Sequence, residues 1–178
     1  MFPREGAARW LVILHLVLLM AIWLVPLAAW QELPDQVPVH FDAKGNPDRH
    51  ASKSSLSFWL MPIVATVMGI LFFVALRFPQ VYNHPRKNDV KALPPKMREP
   101  VYDILREMML AIALCIDAIM LYVVWLIVAA ARSGGMDLYW PVFAVFMVAP
   151  LAVALYYLRR IGRMVDELKA RAGATGGG

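Results

Sequence analysis

Two polar side chains interrupt long apolar stretches of the sequence and are the first candidates for chemistry. His15 lies in the apolar stretch 10–30, and Asp117 lies in the stretch 108–131. A carboxylate in a membrane helix costs about 2.5–3.5 kcal/mol, so it needs a partner or a proton. At 1.5 Å per residue the depths of the two side chains differ by about 6 Å. We therefore predict a His15–Asp117 pair, which either relays a proton or binds a cation, or only fixes the register of two helices.

A second group of polar side chains lies between the first two apolar stretches. His40, Asp42, Asp48 and His50 fall within eleven residues, and imidazole and carboxylate groups are common zinc ligands. Their spacing matches no standard metal motif, and Lys44 stands where a calcium loop needs an oxygen ligand. Three interpretations stay open. The group is a metal site, or its side chains hold the loop's own backbone by hydrogen bonds, or it recognises an extracytoplasmic ligand.

The motifs that many enzymes need are missing from the sequence. No CxxC, HExxH, GxSxG or GxxxxGK[ST] pattern occurs, and the one cysteine, Cys115, lies in an apolar stretch. A single thiol cannot form an intramolecular disulfide. We expect no cofactor, and an enzyme is the function class that the sequence favours least.

The composition indicates an integral membrane protein. Of the 178 residues, 60% are hydrophobic and 17% are charged, and the mean hydropathy is +0.56. Soluble domains are about 45–50% apolar and about 25% charged. The net charge of +5 is explained by basic residues that flank membrane helices, so we expect no nucleic acid as a partner. A soluble enzyme, a nucleic-acid-binding domain and a disordered tail are excluded.

Four apolar stretches are long enough to cross a bilayer, since about 20 helical residues cover a hydrocarbon core of about 30 Å. They are residues 10–30, 56–76, 108–131 and 139–158. The remaining segments are 1–9, 31–55, 77–107, 132–138 and 159–178. We predict an all-α membrane protein with four transmembrane helices and a structured extracytoplasmic loop between the first two.

The segment 77–107 has two parts. Residues 79–98 are polar, basic and rich in proline, and we interpret them as a solvated connector whose Lys and Arg side chains lie on anionic headgroups. Docking of a cytoplasmic partner is the alternative. Residues 100–109 have an amphipathic pattern that is typical of the beginning of a helix, and Pro100 suits its first turn.

The basic residues predict the orientation. Fourteen Lys and Arg residues lie in segments 1–9, 77–107 and 159–178, and four lie in segments 31–55 and 132–138. Basic residues are concentrated on the cytoplasmic side of membrane proteins. We therefore expect both termini and the segment 77–107 in the cytoplasm, and the loop 31–55 outside.

The loop 31–55 contains a sequence motif that resembles the motif of a known family. The chain resembles, over roughly residues 10–90, the bacterial membrane domain of unknown function at the N-terminus of SdpI-type immunity proteins. The matching positions are Leu33, Pro34, Val37, Pro38, His40, Phe41, Gly45, Asp48 and Lys53, followed by Pro85, Arg86, Lys87 and Asn88. The resemblance implies a multi-pass protein of the bacterial cytoplasmic (inner) membrane. The best-known members protect their own cell against a secreted toxic peptide and hold a transcriptional repressor at the membrane.

Six loop residues are candidates for ligand binding or for structuring the loop itself. They are His40, Phe41, Asp42, Gly45, Asp48 and Lys53. In the structuring interpretation Lys53 pairs with a carboxylate, and Gly45 takes a positive φ in a tight turn.

Three function hypotheses follow. The first is a binding or signalling protein that senses or resists an envelope-active peptide through its outer loop. The second is an accessory structural subunit of a larger membrane complex. The third is a small proton- or ion-coupled transporter that uses His15 and Asp117. We expect the lipid bilayer and either another membrane protein or a peptide ligand as partners, and assembly into a homo-oligomer stays open.

Overall fold

The computed structural model describes residues 6–42, 44–134 and 140–175. Four long helices dominate this part of the chain, with a β-hairpin after the first and a short helix before the third. In order the elements are α1 (Gly6–Ala29), β1 (Gln36–Phe41), β2 (Pro47–Ser52), α2 (Leu56–Ala75), α3 (Lys87–Ala92), α4 (Glu99–Ser133) and α5 (Trp140–Thr175). Single 3₁₀ turns at Pro79–Val81 and Pro95–Met97 flank α3.

Four stretches, each coinciding largely with one long helix, are long and apolar enough to cross a membrane. These stretches are Arg9–Ala29, Leu56–Ala75, Pro95–Ser133 and Ala144–Gly173. The mostly helical architecture with four such helices agrees with the sequence prediction. Residues 1–5 of the predicted N-terminal segment, 135–138 of the predicted turn and 176–178 of the predicted tail lie outside the described residues.

The all-α prediction is wrong for the loop 31–55, which contains an antiparallel β-hairpin. Gln36 pairs with Ser52, and the register shifts between Pro38 and Phe41, where the strand is bulged. Because β1 alternates Val37, Val39 and Phe41, which favour strands, it pairs with β2 rather than forming an irregular loop.

The hairpin turn depends on Asp42 and Gly45. The Asp42 carboxylate accepts hydrogen bonds from the backbone N–H groups of Lys44 and Asn46, both at 2.8 Å. Gly45 has a φ of +88°, which a residue without a Cβ adopts readily. The predicted tight reversal therefore forms at the predicted residues.

The helix α4 is the centre of the bundle. It packs against α1, α2 and α5, and one end of it also contacts β1. At that end, which we call the hairpin end, the side chains of the hairpin and its neighbours form an apolar cluster. Its buried members are Ala29, Leu33, Val37, Phe58, Ile127 and Val128.

At the opposite end the chain forms a folded unit, so a solvated connector is the wrong interpretation of residues 79–98. Helix α4 already begins at Glu99, nine residues before the predicted span, and α5 continues past residue 158 to Thr175. These extensions and α3 enclose a second cluster, formed by Val90, Leu93, Val101, Ile104, Leu105, Met108, Ile161, Val165 and Leu168. We call residues 79–108 and 159–175 the basic-end subdomain.

Ion pairs hold the surface of the basic-end subdomain. Arg86 bonds both Asp89 and Asp166 at 2.5 Å, and Lys169 bonds Asp89 at 2.5 Å. These ion pairs connect residues in and beside α3 to α5. They therefore stabilise the packing of the apolar side chains of α3 against α4 and α5.

We predict that Leu105→Ala destabilises the protein far more than Leu151→Ala does. Leu105 is 0% exposed in the basic-end cluster, whereas Leu151 is 61% exposed on α5. Removing a buried leucine side chain costs about 2–5 kcal/mol of the free energy of unfolding, because a cavity remains. Unfolding of both purified variants in detergent micelles with increasing SDS, followed by circular dichroism, measures the difference. Equal losses for the two variants would contradict the buried cluster.

Candidate functional site

The structure brings His15 of α1 and Asp117 of α4 together inside the bundle. The His15 Nδ1 atom and an Asp117 carboxylate oxygen form a hydrogen bond, and the two residues are 1% and 3% exposed. A buried polar pair of this kind satisfies two groups that lipid could not. The second ring nitrogen, Nε2, has no hydrogen-bond partner among the described residues.

Helix α2 also contacts this site, where it packs against the imidazole ring of His15. The ring of Phe73 lies 5.2 Å from the His15 ring, centroid to centroid. A Cβ at Gly69 would lie 3.3 Å from His15 Nε2 and 2.8 Å from Leu19 Cδ1. Gly69 therefore allows α2 to approach the pair closely, which is the usual role of a small residue between membrane helices.

A second polar contact lies between α1 and α2. The Trp23 indole N–H donates to the Thr66 hydroxyl at 2.9 Å, and that hydroxyl donates to the Pro62 carbonyl at 2.9 Å. The Thr66 hydroxyl thus links the Trp23 indole of α1 to the backbone of α2. Together with the His15–Asp117 pair, it fixes how α1 lies against its two neighbours.

The His15–Asp117 pair places an imidazole and a carboxylate in contact inside the bundle. These are the residue types that a proton relay would use. The pair is equally suited to fixing helix register, since either side chain alone would leave the other buried without a partner.

We predict that His15 and Asp117 are energetically coupled. His15→Ala and Asp117→Ala should each lower the free energy of unfolding, and the double variant should lose less than the sum of the two. The expected coupling is about 1–2 kcal/mol, the scale of polar contacts between membrane helices. Unfolding of the three variants and the parent chain in micelles with increasing SDS measures the cycle, and strictly additive losses would show that the contact carries no energy.

At the hairpin end the structure separates the candidate residues by role. His40 Nδ1 and Asp48 Oδ1 lie 2.6 Å apart across the hairpin, with side chains that are 54% and 45% exposed. Phe41 packs, half-buried, against the hairpin-end cluster. The His40 and Asp48 side chains are therefore partly exposed, whereas Phe41 packs against the protein.

Lys53 pairs with a carboxylate, as predicted, and also binds backbone carbonyl groups just after α1, which the sequence did not predict. Its Nζ atom donates to the carbonyl oxygens of Leu33 at 2.7 Å and Trp30 at 3.3 Å, and it lies 5.4 Å from the Trp30 ring. The Asp35 carboxylate lies 3.9 Å away. Carbonyl groups at a helix C-terminus lack partners and attract a cation, so Lys53 joins the end of β2 to α1.

The remaining polar hairpin residues do not assemble around one point. The pKa of Asp42 lies below its ordinary value, chiefly because the backbone N–H of Asn46 donates to its carboxylate. His50 lies on β2 opposite Pro38. Within residues 6–42, 44–134 and 140–175, no three His, Cys, Asp or Glu side chains come close enough together to hold a metal ion.

Sequence reasoning overlooked His84 as a titratable group of the basic-end subdomain. The residue is 9% exposed, and its Nδ1 atom has no hydrogen-bond partner among the described residues. Burial and then the charge of Lys87 lower its pKa from the ordinary 6.5. Its burial follows from the folding of residues 79–98, and the apolar spacing of Ile161, Val165 and Leu168 was the signal that could have revealed that unit.

We predict that the basic-end subdomain loses stability as the pH falls below about 6.5. Because His84 has a lowered pKa in the folded chain, the unfolded chain binds a proton first and is favoured in acid. Hydrogen exchange of the amides in 84–93 at about pH 7.5 and about pH 5.5 measures the effect. His84→Gln, which cannot titrate, is the matched variant, and an unchanged pH dependence in it would contradict the assignment.

The comparisons with known proteins identify a domain and a relative but no function. A family model described as "Domain of unknown function (DUF1648)" matches residues 16–66, which cover most of α1, the hairpin and the first half of α2. An uncharacterized protein of Archaeoglobus fulgidus is 29% identical over 173 residues, covering 93% of this chain and 94% of that protein. No solved structure matches the chain. The chain is thus similar to that protein over nearly its whole length, and to the domain from within α1 to the first half of α2.

Proposed function

We propose that this chain is a multi-pass protein of a bacterial cytoplasmic membrane. It binds an extracytoplasmic ligand at its hairpin and, through α4, either signals that binding or protects the cell against the ligand. The ligand class is an envelope-active peptide, as the resemblance to SdpI-type immunity proteins implies. In this proposal both termini and the basic-end subdomain face the cytoplasm, as the distribution of Lys and Arg predicts.

The observation that carries the proposal is the continuity of α4. This helix runs without a break from Glu99 to Ser133, a length of about 52 Å at 1.5 Å per residue. At one end Ile127 and Val128 belong to the hairpin cluster, and at the other Leu105 belongs to the basic-end cluster. A shift of α4 that begins at the hairpin would therefore reach the other cluster as a rigid-body movement.

The hairpin is coupled to α4 by charge as well as by apolar packing. Arg132, in the last turn of α4, bonds Glu32 at 2.5 Å, and Glu32 precedes β1. Val37 of β1 is fully buried against the same end of the bundle. A ligand that displaces the hairpin would consequently have to displace α1 and α4 with it.

The exposed His40–Asp48 pair is the proposed contact with the ligand. The hairpin is anchored by Val37, Leu33 and Lys53, so the exposed pair is not required to hold it in place. The pair offers a carboxylate, and peptides that act on membranes are commonly basic and amphipathic. Charge attraction and hydrogen bonds to this pair are therefore the chemistry that we assign to recognition.

We predict that replacing the hairpin pair abolishes protection while replacing the buried aspartate does not. The parent chain, the double variant His40→Ala/Asp48→Ala and the variant Asp117→Asn are expressed in a sensitive bacterial host, which is challenged with a panel of basic membrane-active peptides. Survival should rise with the parent chain and with Asp117→Asn, and should return to that of the empty host with the hairpin variant. Membrane protein levels are matched by immunoblot.

The opposite pattern would replace the proposal. If the hairpin variant protects and Asp117→Asn does not, the third hypothesis, a proton- or ion-coupled transporter, takes its place. The readout is then proton flux into liposomes that contain the purified chain, with Asp117→Asn as the control. Absence of protection with every version of the chain would contradict the peptide-resistance proposal.

A second candidate function is an accessory subunit of a larger membrane complex, and the surface of α5 favours it. Only 6% of the most apolar stretch of α5 is buried inside the chain, against 22% for α1 and α2 and 33% for α4. The exposed apolar side chains of this stretch include Val145, Met147, Val148, Leu151 and Leu155. Such a face is covered either by lipid or by another membrane protein.

Gentle native purification from the source membrane, with mass spectrometry of the co-purified proteins, separates the two candidates. A stoichiometric set of integral subunits would assign the accessory role. A small secreted peptide or a soluble DNA-binding protein would support binding and signalling.

A further inference from the structure

Helix α5 carries a groove on the face that points away from the rest of the bundle. The groove is shallow and open to the surroundings, and its lining includes Ala152, Leu155, Tyr156, Arg159, Gly162 and Arg163. At 100° per residue these positions lie opposite Ile161 and Val165, which are buried in the basic-end cluster. The proposed ligand binding and signalling do not use this face of α5.

The groove changes character along the helix axis. Its first part is apolar, with Ala152 and the half-exposed Leu155, and Tyr156 follows with 57% of its surface exposed. Its second part is basic, with Arg159 and Arg163 one turn apart. The change lies where the apolar sequence of α5 ends, which is the depth at which a membrane helix meets the lipid headgroups, and tyrosine is enriched at that depth.

The two arginines lack an anionic partner in the part of the chain that the structure describes. The carboxylate of the groove, Asp166, is bonded to Arg86 at 2.5 Å, and the neighbouring Arg160 is bonded to Glu107. Arg159 and Arg163 have their Cβ atoms about 5–6 Å apart and repel each other. An anion between them would remove this repulsion.

The residue between the two arginines leaves room for such an anion. A Cβ added at Gly162 would have no atom within 4 Å, so the floor of the groove is open at this point. Guanidinium groups form paired hydrogen bonds with the oxygen atoms of a phosphate. The basic half of the groove therefore matches a phosphate group, and the apolar half beside it matches a hydrocarbon chain.

We propose that this groove binds an anionic phospholipid, with the phosphate between Arg159 and Arg163 and one acyl chain along Leu155 and Ala152. The inference goes beyond the proposed function and depends only on α5 crossing the membrane. A free phosphate ion has the same headgroup chemistry, but it would leave the apolar half of the groove unused. We therefore assign the site to the lipid.

Native mass spectrometry of the full chain, released from neutral detergent micelles, tests the assignment. The parent chain is mixed with phosphatidylglycerol or with phosphatidylcholine, and retained lipid is counted. The test variant is Arg159→Gln/Arg163→Gln, and the matched control is Lys44→Gln/Arg49→Gln, which removes the same charge from the exposed hairpin. All four side chains are exposed, and circular dichroism checks that helix content is unchanged.

The parent chain and the control should retain phosphatidylglycerol over phosphatidylcholine, and the test variant should retain about tenfold less of it, as the loss of charge-assisted hydrogen bonds implies. Equal retention by the test variant and the parent chain would overturn the site. An equal loss of phosphatidylglycerol from the control variant would show that only the net charge of the chain matters, and would also overturn the site. Displacement of phosphatidylglycerol from the parent chain by an excess of inorganic phosphate would reassign the groove to a soluble anion.

Discussion

The length of α4 is the constraint on which the other features of this protein depend. At 35 residues the helix is about 52 Å long, whereas the hydrocarbon core of a bilayer is about 30 Å thick. A bilayer would therefore enclose only part of the helix, and apolar residues in the rest of it have to pack against other parts of the chain. Residues of α3 and the extended α5 supply this packing around Leu105, and the hairpin covers Ile127 and Val128 at the other end. One helix thus supports two folded units on opposite sides of the apolar region.

The polar contacts inside the bundle determine how the helices meet. Lipid offers no hydrogen bonds, so His15 and Asp117 have to satisfy each other, and this requirement sets the rotation of α1 on α4. Gly69 then lets α2 approach the imidazole ring. Both contacts lie on His15, so this one side chain connects α1 to α4 and to α2.

The hairpin motif consists largely of residues that build the hairpin. Asp42 and Gly45 form the turn, and Lys53 binds the carbonyl groups at the end of α1. Within the motif the His40–Asp48 pair is partly exposed, and it is the part to which we assign ligand contact in the proposed function. Most of the pattern of the loop therefore serves the fold of the hairpin.

The sequence by itself determined the features that depend on local chemistry. The four apolar stretches follow from composition, the turn at Asp42–Asn46 follows from residues that favour tight turns, and the His15–Asp117 pair follows from the cost of an unpaired carboxylate in lipid. Residues 79–98 were interpreted wrongly because their proline and charge content resembles that of a connector.

The tertiary structure decided which surfaces meet. It showed that apolar residues of α3 pack on extensions of α4 and α5. It also showed that Lys53 bonds carbonyl groups just after α1 and that Arg86 bonds Asp166. The physical reason is that such contacts join residues far apart in the chain, and their free energy depends on the arrangement of whole helices. Local periodicity and composition carry no information about that arrangement.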